Sequence, residues 1–201
     1  MKGVERNLLL ESYLKRLRLP AVSQNYLAIA REAAERNQSY VDYLLALVEQ
    51  EIARREEQGL KRRLKMAHFP FIKTLEEYDF SLIPSLNKNK VLTLAQGEFI
   101  ARKETVIFIG NCGTGKTHLA IALGMCALRK GYKVRFYTAA GLVNELLEAS
   151  QEYRLKKLEK QWLAQDLIIL DEVGYVPFTK TGAELLYQFC ASRYERGSVI
   201  I

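Results

Sequence analysis

A glycine-rich stretch directly after an apolar run constrains the fold of this chain more than any other feature. The stretch GNCGTGKT, residues 110–117, fits the pattern G-x-x-x-x-G-K-[ST] and follows the apolar residues 106–109. Glycine is needed where the backbone wraps this tightly, because a Cβ would collide with the enclosed anion and some φ angles become positive. A chance match to all the fixed positions is rare in a chain of 201 residues. The pattern therefore predicts a phosphate-binding loop between a β-strand and a helix.

Each residue type in this loop has a physical role in holding a nucleotide. Converging backbone N–H groups and the positive end of the following helix are expected to surround the β-phosphate. Lys116 is placed to reach the β- and γ-phosphate oxygens, and the hydroxyl of Thr117 is a ligand for Mg²⁺. We interpret Cys112 as a small residue at a tolerant position and His118 as a packing or capping residue. The predicted nucleotide-binding residues are Gly110, Asn111, Cys112, Gly113, Thr114, Gly115, Lys116, Thr117 and His118.

A second apolar run ends in two acidic residues further along the chain. Residues 167–170 are Leu-Ile-Ile-Leu, a pattern typical of a buried parallel strand, and Asp171 and Glu172 follow. Ligands of open parallel sheets bind at the carboxyl ends of the strands. We predict that Asp171 holds Mg²⁺ with Thr117 and that Glu172 polarises an attacking water. With Lys116 they form the predicted catalytic set, and the absence of an N-K-x-D motif from the sequence disfavours guanine specificity.

Around these motifs the pattern predicts a helical N-terminal part and a parallel α/β core. Pro20 separates two helical segments, and Ser39 with Asp42 is typical of a capping box that opens a third helix. The third helix is expected to continue past Gly59 and to bury one stripe, made of Val41, Leu44, Leu45, Val48 and Ile52. Strands are predicted at 105–109, 133–138, 167–171 and 198–201, alternating with helices near 116–130, 140–160 and 180–196. The predicted domains are a helical domain over 1–67, a connector over 68–104 and a P-loop core over 105–201.

Composition and charge narrow the class of protein. The chain has 49% hydrophobic and 26% charged residues, which is typical of a folded protein. Its 30 Lys and Arg against 23 Asp and Glu give a net charge of +7, which favours a polyanionic partner such as nucleic acid. Three distant cysteines indicate neither a disulfide framework nor a zinc site. This cysteine usage fits a reducing cytoplasm, and since no apolar run approaches the length of a membrane span, we expect a cytoplasmic protein without a membrane partner.

Basic residues crowd one sector of the third helix between residues 54 and 65. At 100° per residue Arg54, Arg55, Lys61, Arg62 and Lys65 share this sector, although Glu51 lies within it too. Two interpretations are open on the pattern alone. The sector is either a solvated face with ion pairs four residues apart or a stripe that follows a phosphate backbone.

Four stretches together resemble the AAA+ ATPases of the IstB-like group, the transposition helper proteins of insertion sequences, which are related to the DnaC helicase loaders. They are LPAVSQNYLAIAREAAERNQSYVDYLLALVEQE in the helical part, GNCGTGKTHLAIALG at the loop, LIILDEVGYVPF at the acidic strand and RYERGSVII at the end. The resemblance covers nearly the whole chain. It implies an α/β P-loop NTPase fold of the AAA+ type, with a parallel sheet, helices on both faces and a small all-α N-terminal domain before it.

The resemblance also implies a function. It points to a Mg²⁺-dependent ATPase that assembles as a ring or helical filament on duplex DNA, deforms it and hands the site to a partner transposase, with hydrolysis resetting the assembly. A DnaC-like helicase loader and a scaffold that ATP switches without hydrolysis are the alternatives. Tyr78, Asp79 and Phe80 lie where such families place a segment that covers the adenine. The resemblance favours phosphate contacts by the third helix and by a cluster after the second strand, so the candidate DNA-binding residues are Arg54, Arg55, Lys61, Arg62, Lys65, Arg154, Lys156 and Lys157, with Lys160 beside them.

The last residues depart from the family pattern. Related proteins continue from the SVII strand into a polar sensor residue, a further strand and a helical lid, so we expect the core to be C-terminally truncated at Ile201. In the AAA+ strand order 5-1-4-3-2 this would leave the P-loop strand at a sheet edge, with unpaired backbone groups. Turnover of ATP by this chain alone is therefore left open. Arg193 and Arg196 are candidates for an arginine that reaches a neighbouring subunit's γ-phosphate, with an ordinary surface position as the alternative.

Overall fold

The computed structural model describes residues 2–174 and 177–201, with side chains from Glu5 onward. Residues 175 and 176, which belong to the acidic-strand motif, lie outside the described residues. The chain forms two compact units, Met1–Gly59 and Leu60–Ile201. The domain limits predicted from the sequence remain predictions. Within the described residues, no helix has the length and apolar character that crossing a bilayer requires.

The first unit is helical. It contains α1 (Lys2–Arg16), α2 (Pro20–Glu35) and the first part of α3 (Tyr40–Ala67). Pro20 occupies the first helical position of α2, where its missing N–H costs nothing. Ser39 accepts a hydrogen bond from the backbone N–H of Asp42 at 3.1 Å, which is the N-cap half of the predicted capping box. The buried apolar centre of this unit consists of Leu14, Tyr26, Ile29 and Leu47.

The face that α3 turns inward differs from the predicted one. The predicted stripe is exposed, with values of 74% at Val41, 59% at Leu44, 53% at Leu45, 42% at Val48 and 49% at Ile52. That prediction was wrong, and the reason is one charged residue. Glu51 lies in line with Leu47 at helical spacing and is only 4% exposed, because its carboxylate accepts the backbone N–H of Ala21 at 2.8 Å. The first turn of α2 thus holds the face of α3 that carries Glu51, and the more apolar face is left outside.

The second unit contains a parallel sheet covered on both faces. Its strands are β1 (Val134–Thr138), β2 (Leu167–Asp171) and β3 (Ser198–Ile200), in the order β1-β2-β3. Alternate residues of β2 enter two separate cores: Leu167 and Ile169 pack with α6 (Lys116–Arg129), whereas Ile168 and Leu170 pack with α7 (Ala139–Gln151), α8 (Leu155–Leu163) and α9 (Lys180–Arg193). Burial on both faces explains the continuous apolar run in β2. It confirms the predicted α/β class.

The segment before the P-loop lies beyond β3 but does not form a full strand. A single parallel bridge joins Val106 to Ile200, and Phe108 donates to the carbonyl of Ile201 at 2.7 Å. The sequence predicted a strand over 105–109. The segment pairs with β3 on one side, and among the described residues no strand pairs with its other side. This one-sided pairing explains why the contact is a short bridge and not a full strand. The order matches the AAA+ expectation, and Ile109 is 93% exposed.

The predicted connector contributes helices to the core of the second unit. It contains a 3-10 turn (Phe80–Leu82), α4 (Lys88–Ala95) and α5 (Glu98–Ala101). Asn87 caps α4 by accepting from the N–H of Lys90 at 3.0 Å. Val91, Phe99 and Ile100 are buried and pack with α6. The segment therefore forms part of the P-loop core.

The helix predicted near 140–160 is interrupted. α7 and α8 are separated by residues 152–154, where Tyr153 has a φ of +56°. A residue in the left-handed region ends an α-helix, because the next N–H can no longer follow the helical path. The N–H of Arg154 instead reaches back to the carbonyl of Ala149 at 2.7 Å. The break lets α8 bury Leu158 and Trp162.

Arg193 is buried rather than available to a neighbour. Its side chain is 1% exposed, and its guanidinium donates to the carbonyls of Trp162 at 2.6 Å, Gln165 at 2.7 Å and Ser198 at 2.8 Å. Both sequence interpretations, a trans-acting arginine and a surface arginine, are wrong for this residue. Burial lowers its pKa to about 10, and the charge of Asp166 acts in the opposite direction. The group therefore stays charged at neutral pH and links the end of α8 to the start of β3.

Candidate nucleotide site

The P-loop adopts the backbone conformation that its glycines predict. Gly113 and Gly115 have φ angles of +77° and +76°, values that side chains other than glycine rarely adopt. Gly115 is followed directly by α6, so the loop ends at the N-terminus of a long helix. Several unpaired N–H groups are expected there, together with the positive end of the helix dipole. The loop thus has the backbone properties of an anion site.

The structure brings the two motifs together at a single hydrogen bond. The hydroxyl of Thr117 donates to Oδ2 of Asp171 at 2.8 Å, across 54 positions of sequence. Thr117 lies in the first turn of α6 and Asp171 at the carboxyl end of β2. These two oxygens are hard donors of the kind that Mg²⁺ prefers, and Mg²⁺ usually takes few protein ligands beside phosphate and water. The pair fits the metal that the sequence predicts.

Lys116 lies over the loop that it follows. Its Nζ donates to the carbonyls of Gly110 and Asn111, both at 2.8 Å. The hydroxyl of Thr114 donates to the same Asn111 carbonyl at 2.9 Å, which closes the loop on itself. The ammonium group is thereby held at the mouth of the loop, the position from which it could reach phosphate oxygens.

A cleft of about 820 Å³ opens beside these residues. Its walls come from the P-loop, the end of β2 and the end of β3, and it lies within the size range of pockets for small-molecule ligands. Glu172 lines it, is exposed, and has a φ of +61°. A left-handed glutamate directly after a strand is uncommon, and it turns the backbone sharply after Asp171. The residue predicted to polarise water thus borders the same space as the phosphate loop.

A segment from the predicted connector packs against the P-loop at Thr114 and Gly115. Tyr78 donates to the carbonyl of Thr114 at 3.3 Å, and a Cβ added to Gly115 would come within 2.8 Å of the Tyr78 ring. His118 packs edge-on against that ring and donates from Nε2 to the carbonyl of Thr74 at 2.9 Å. Burial raises the pKa of Tyr78, so its hydroxyl stays a donor. The sequence analysis placed Tyr78 in a segment that covers the adenine, which stays a prediction. It did not predict the contact between Tyr78 and the P-loop.

The candidate DNA-binding residues differ in what already holds them. Arg54 donates to Gln24 at 2.9 Å, and Arg55 donates to Glu51 and to the carbonyl of Arg18. Arg154 is ion-paired with Glu152. Lys61, Arg62, Lys65, Lys156, Lys157 and Lys160 are exposed. The DNA-binding assignments of all these residues remain predictions.

Comparison with known proteins identifies the family. Residues 12–201 match the family model described as IstB-like ATP binding protein. An ATP-binding protein of insertion sequence IS5376 from Geobacillus stearothermophilus is 37% identical over 192 residues, which cover 96% of this chain and 76% of that protein. The IS21 ATP-binding protein of Pseudomonas aeruginosa is 38% identical, with coverage of 96% and 72%.

Solved structures support the fold. A DnaC helicase loader aligns with a TM-score of 0.53 at 22% identity, covering 70% of this chain and 77% of its own. AMPPCP-bound DnaA from Aquifex aeolicus aligns with a TM-score of 0.54 at 22% identity, covering 63% of this chain and 40% of its own. Both are AAA+ proteins, so the second unit has the fold of an AAA+ P-loop ATPase. With the P-loop and the acidic strand in place, the chain is an ATPase, and it belongs to the IstB-like ATP-binding family.

Proposed function

We propose that this chain is the ATP-dependent helper of an insertion sequence, which assembles on duplex DNA and remodels it for a partner transposase. The observation that carries the proposal is the match along 96% of the chain to ATP-binding proteins of two insertion sequences. The bond between Thr117 and Asp171 supports a site that responds to ATP. Hydrolysis would then release the assembly from DNA.

The chain's own residues would divide the chemistry as follows. N–H groups of Gly113 and Gly115 hold the phosphates, and Lys116 exchanges its two carbonyl partners for phosphate oxygens. Thr117 and Asp171 would hold Mg²⁺, which when bound supplies positive charge against the triphosphate. Glu172 accepts a proton from the attacking water.

A test of this assignment compares Glu172→Gln with Glu184→Gln, an exposed glutamate on α9. Loss of the general base should lower the rate of ATP hydrolysis by about 100-fold or more, while ATP binding measured by calorimetry stays within a few-fold. The control substitution should change neither. If Glu172→Gln hydrolyses ATP at the wild-type rate, Glu172 is not the general base and this assignment is wrong.

The DNA contact is proposed at α8. This helix buries Leu158 and Trp162, and Lys156, Lys157 and Lys160 face solvent. Contacts between lysine and phosphate release counterions, so each one adds to the salt dependence of binding without adding sequence preference.

The measurement is the slope of log K against log salt for duplex DNA binding in the presence of ATP. Lys156→Ala with Lys157→Ala should reduce that slope by roughly 2, whereas Lys90→Ala with Lys180→Ala, which removes two exposed lysines elsewhere, should leave it unchanged. Equal slopes for both double variants would exclude α8 as the contact.

A pull-down with a transposase and with a hexameric helicase tests the partner. Binding to the helicase instead of the transposase would make the chain a helicase loader.

A further inference from the structure

Tyr153 occupies a backbone position that favours glycine. It lies in the short break between α7 and α8, with a φ of +56° and 96% of its surface exposed. The N–H of Tyr153 donates to the carbonyl of Ser150, and the N–H of Arg154 donates to that of Ala149. These bonds place Tyr153 at the left-handed residue that ends a helix, where glycine is the usual choice. A residue with a Cβ is strained there.

The tyrosine ring makes no contact within the chain that offsets this strain. In the part of the chain that the structure describes, no side-chain hydrogen bond and no ring contact joins Tyr153 to another residue. Seven non-glycine residues in that part have a positive φ, and the six others carry polar or charged side chains: Arg18, Asn37, His68, Lys103, Glu172 and Glu195. An exposed aromatic ring on a strained backbone indicates a contact with another molecule.

The charges around Tyr153 are divided between its two sides. Glu148 and Glu152 precede it on the α7 side, and Glu152 is ion-paired with Arg154. On the α8 side four basic residues stand against one half-buried acidic residue: Arg154, Lys156, Lys157 and Lys160 against Glu159. The ring therefore borders a surface with an excess of positive charge.

These surroundings favour a nucleic acid over a protein as the partner of the ring. A tyrosine at the centre of a protein interface usually has apolar neighbours, and lysine and glutamate are depleted there. The exposed neighbours of Tyr153 are instead Gln151, Glu152, Arg154 and Lys156. A nucleic acid offers both kinds of contact at once, since its phosphates attract the lysines and its bases present flat faces to an aromatic ring.

We propose that Tyr153 inserts its ring at a base step of the bound duplex while the lysines of α8 contact the neighbouring phosphates. Side chains inserted in this way unstack the bases and kink the duplex. Stacking on a base depends little on which base it is, so the contact distorts DNA without adding strong sequence preference. This inference rests on the proposed function, because it requires that α8 binds duplex DNA, and it names the residue that distorts the duplex.

The test measures how fast permanganate oxidises thymines in a duplex saturated with the full chain, ATP and Mg²⁺. Permanganate attacks thymines that have lost their stacking, so wild type should raise the rate above that of the free duplex. Tyr153→Ala should reduce this rise about fivefold or more, whereas Tyr153→Phe keeps the ring and should retain the rise. Tyr187→Ala removes a tyrosine that is 75% exposed on α9 and should also retain it.

Tyr153→Gly separates loss of the ring from loss of the fold. Glycine adopts the positive φ without strain, so the Tm of this variant should equal or exceed that of wild type. Its effect on thymine oxidation should match that of Tyr153→Ala. The salt dependence of DNA binding should stay that of wild type in both variants, because the lysines of α8 remain.

The outcomes distinguish this inference from the proposed function. If Tyr153→Gly raises thymine oxidation as much as wild type, the insertion is wrong. If wild type binds the duplex and leaves its thymines unreactive, the insertion is also overturned, while the proposed function stands. Absence of any duplex binding in the presence of ATP would overturn both. If Tyr153→Ala leaves thymine oxidation unchanged but abolishes capture of a transposase, the ring contacts protein and the inference is wrong.

Discussion

The buried guanidinium of Arg193 leads to a prediction about stability. Three short hydrogen bonds run from it to carbonyls of Trp162, Gln165 and Ser198. Arg193→Met would keep much of the side-chain volume and remove all of these donors. The bonds to Trp162 and Ser198 are buried and the bond to Gln165 is partly buried, so at least two of the carbonyls would lack a replacement partner.

The magnitude follows from those three acceptors. A buried acceptor without a donor costs about 1 to 3 kcal/mol. Part of this loss is offset, because removing the guanidinium also removes the desolvation penalty of its buried charge. A net destabilisation of about 3 kcal/mol is expected. In a unit of this size that corresponds to a fall in Tm of roughly 6 to 12 °C.

The assay is thermal and urea unfolding of Arg193→Met beside Arg196→Met. Arg196 is exposed, so its substitution should change the free energy of unfolding by no more than about 0.5 kcal/mol. ATP hydrolysis in mixtures of wild type and variant is measured in parallel. If Arg193→Met has the same Tm as Arg196→Met but abolishes ATP hydrolysis in the mixtures, the guanidinium acts on a neighbouring copy. That result would refute the structural account.

Three further outcomes are expected. Gly115→Ala should weaken ATP binding, measured by calorimetry, more than Gly113→Ala, because both have positive φ but only at Gly115 would the new Cβ meet a side chain; equal losses would contradict this. Asp171→Asn should abolish the Mg²⁺ dependence of ATP binding, because an amide is a weaker ligand beside Thr117; unchanged Mg²⁺ titrations would count against the site. Burial opposes ionisation of Glu51, but its hydrogen bonds outweigh burial and lower its pKa below the ordinary 4.5. The ionised carboxylate therefore contributes its full stabilisation of the fold above about pH 4.5, and this contribution is lost as pH falls through the lowered pKa. Melting curves of Glu51→Gln and wild type should therefore converge in acid, and a gap that is constant down to pH 3 would exclude the effect.

The nucleotide site could be predicted from sequence because its determinants are local. Gly113 and Gly115 need positive φ whatever surrounds them, and a buried strand delivers Asp171 to the same sheet edge as the P-loop. The contact between Thr117 and Asp171 then follows from the topology of a parallel sheet.

The errors arose where a polar residue overrode an apolar pattern. Counting apolar residues places Val41, Leu44, Leu45, Val48 and Ile52 inside, whereas the partners of Glu51 at the start of α2 hold a different face of the helix inward. The spacing of Tyr43, Leu47 and Glu51 at intervals of four was the available sign. Likewise, a basic residue on a polar helix looks exposed, and only the tertiary structure shows that Arg193 meets three carbonyls.

The internal bonds of the P-loop bear on how fast a ligand can bind. Contacts from Thr114, Tyr78 and Lys116 already fix the backbone shape, so association does not have to wait for the loop to order. The group that must rearrange is one ammonium, which leaves the carbonyls of Gly110 and Asn111. Side-chain rotations of this kind take picoseconds to nanoseconds. Capture of a triphosphate should consequently be limited by diffusion and charge rather than by a slow conformational step.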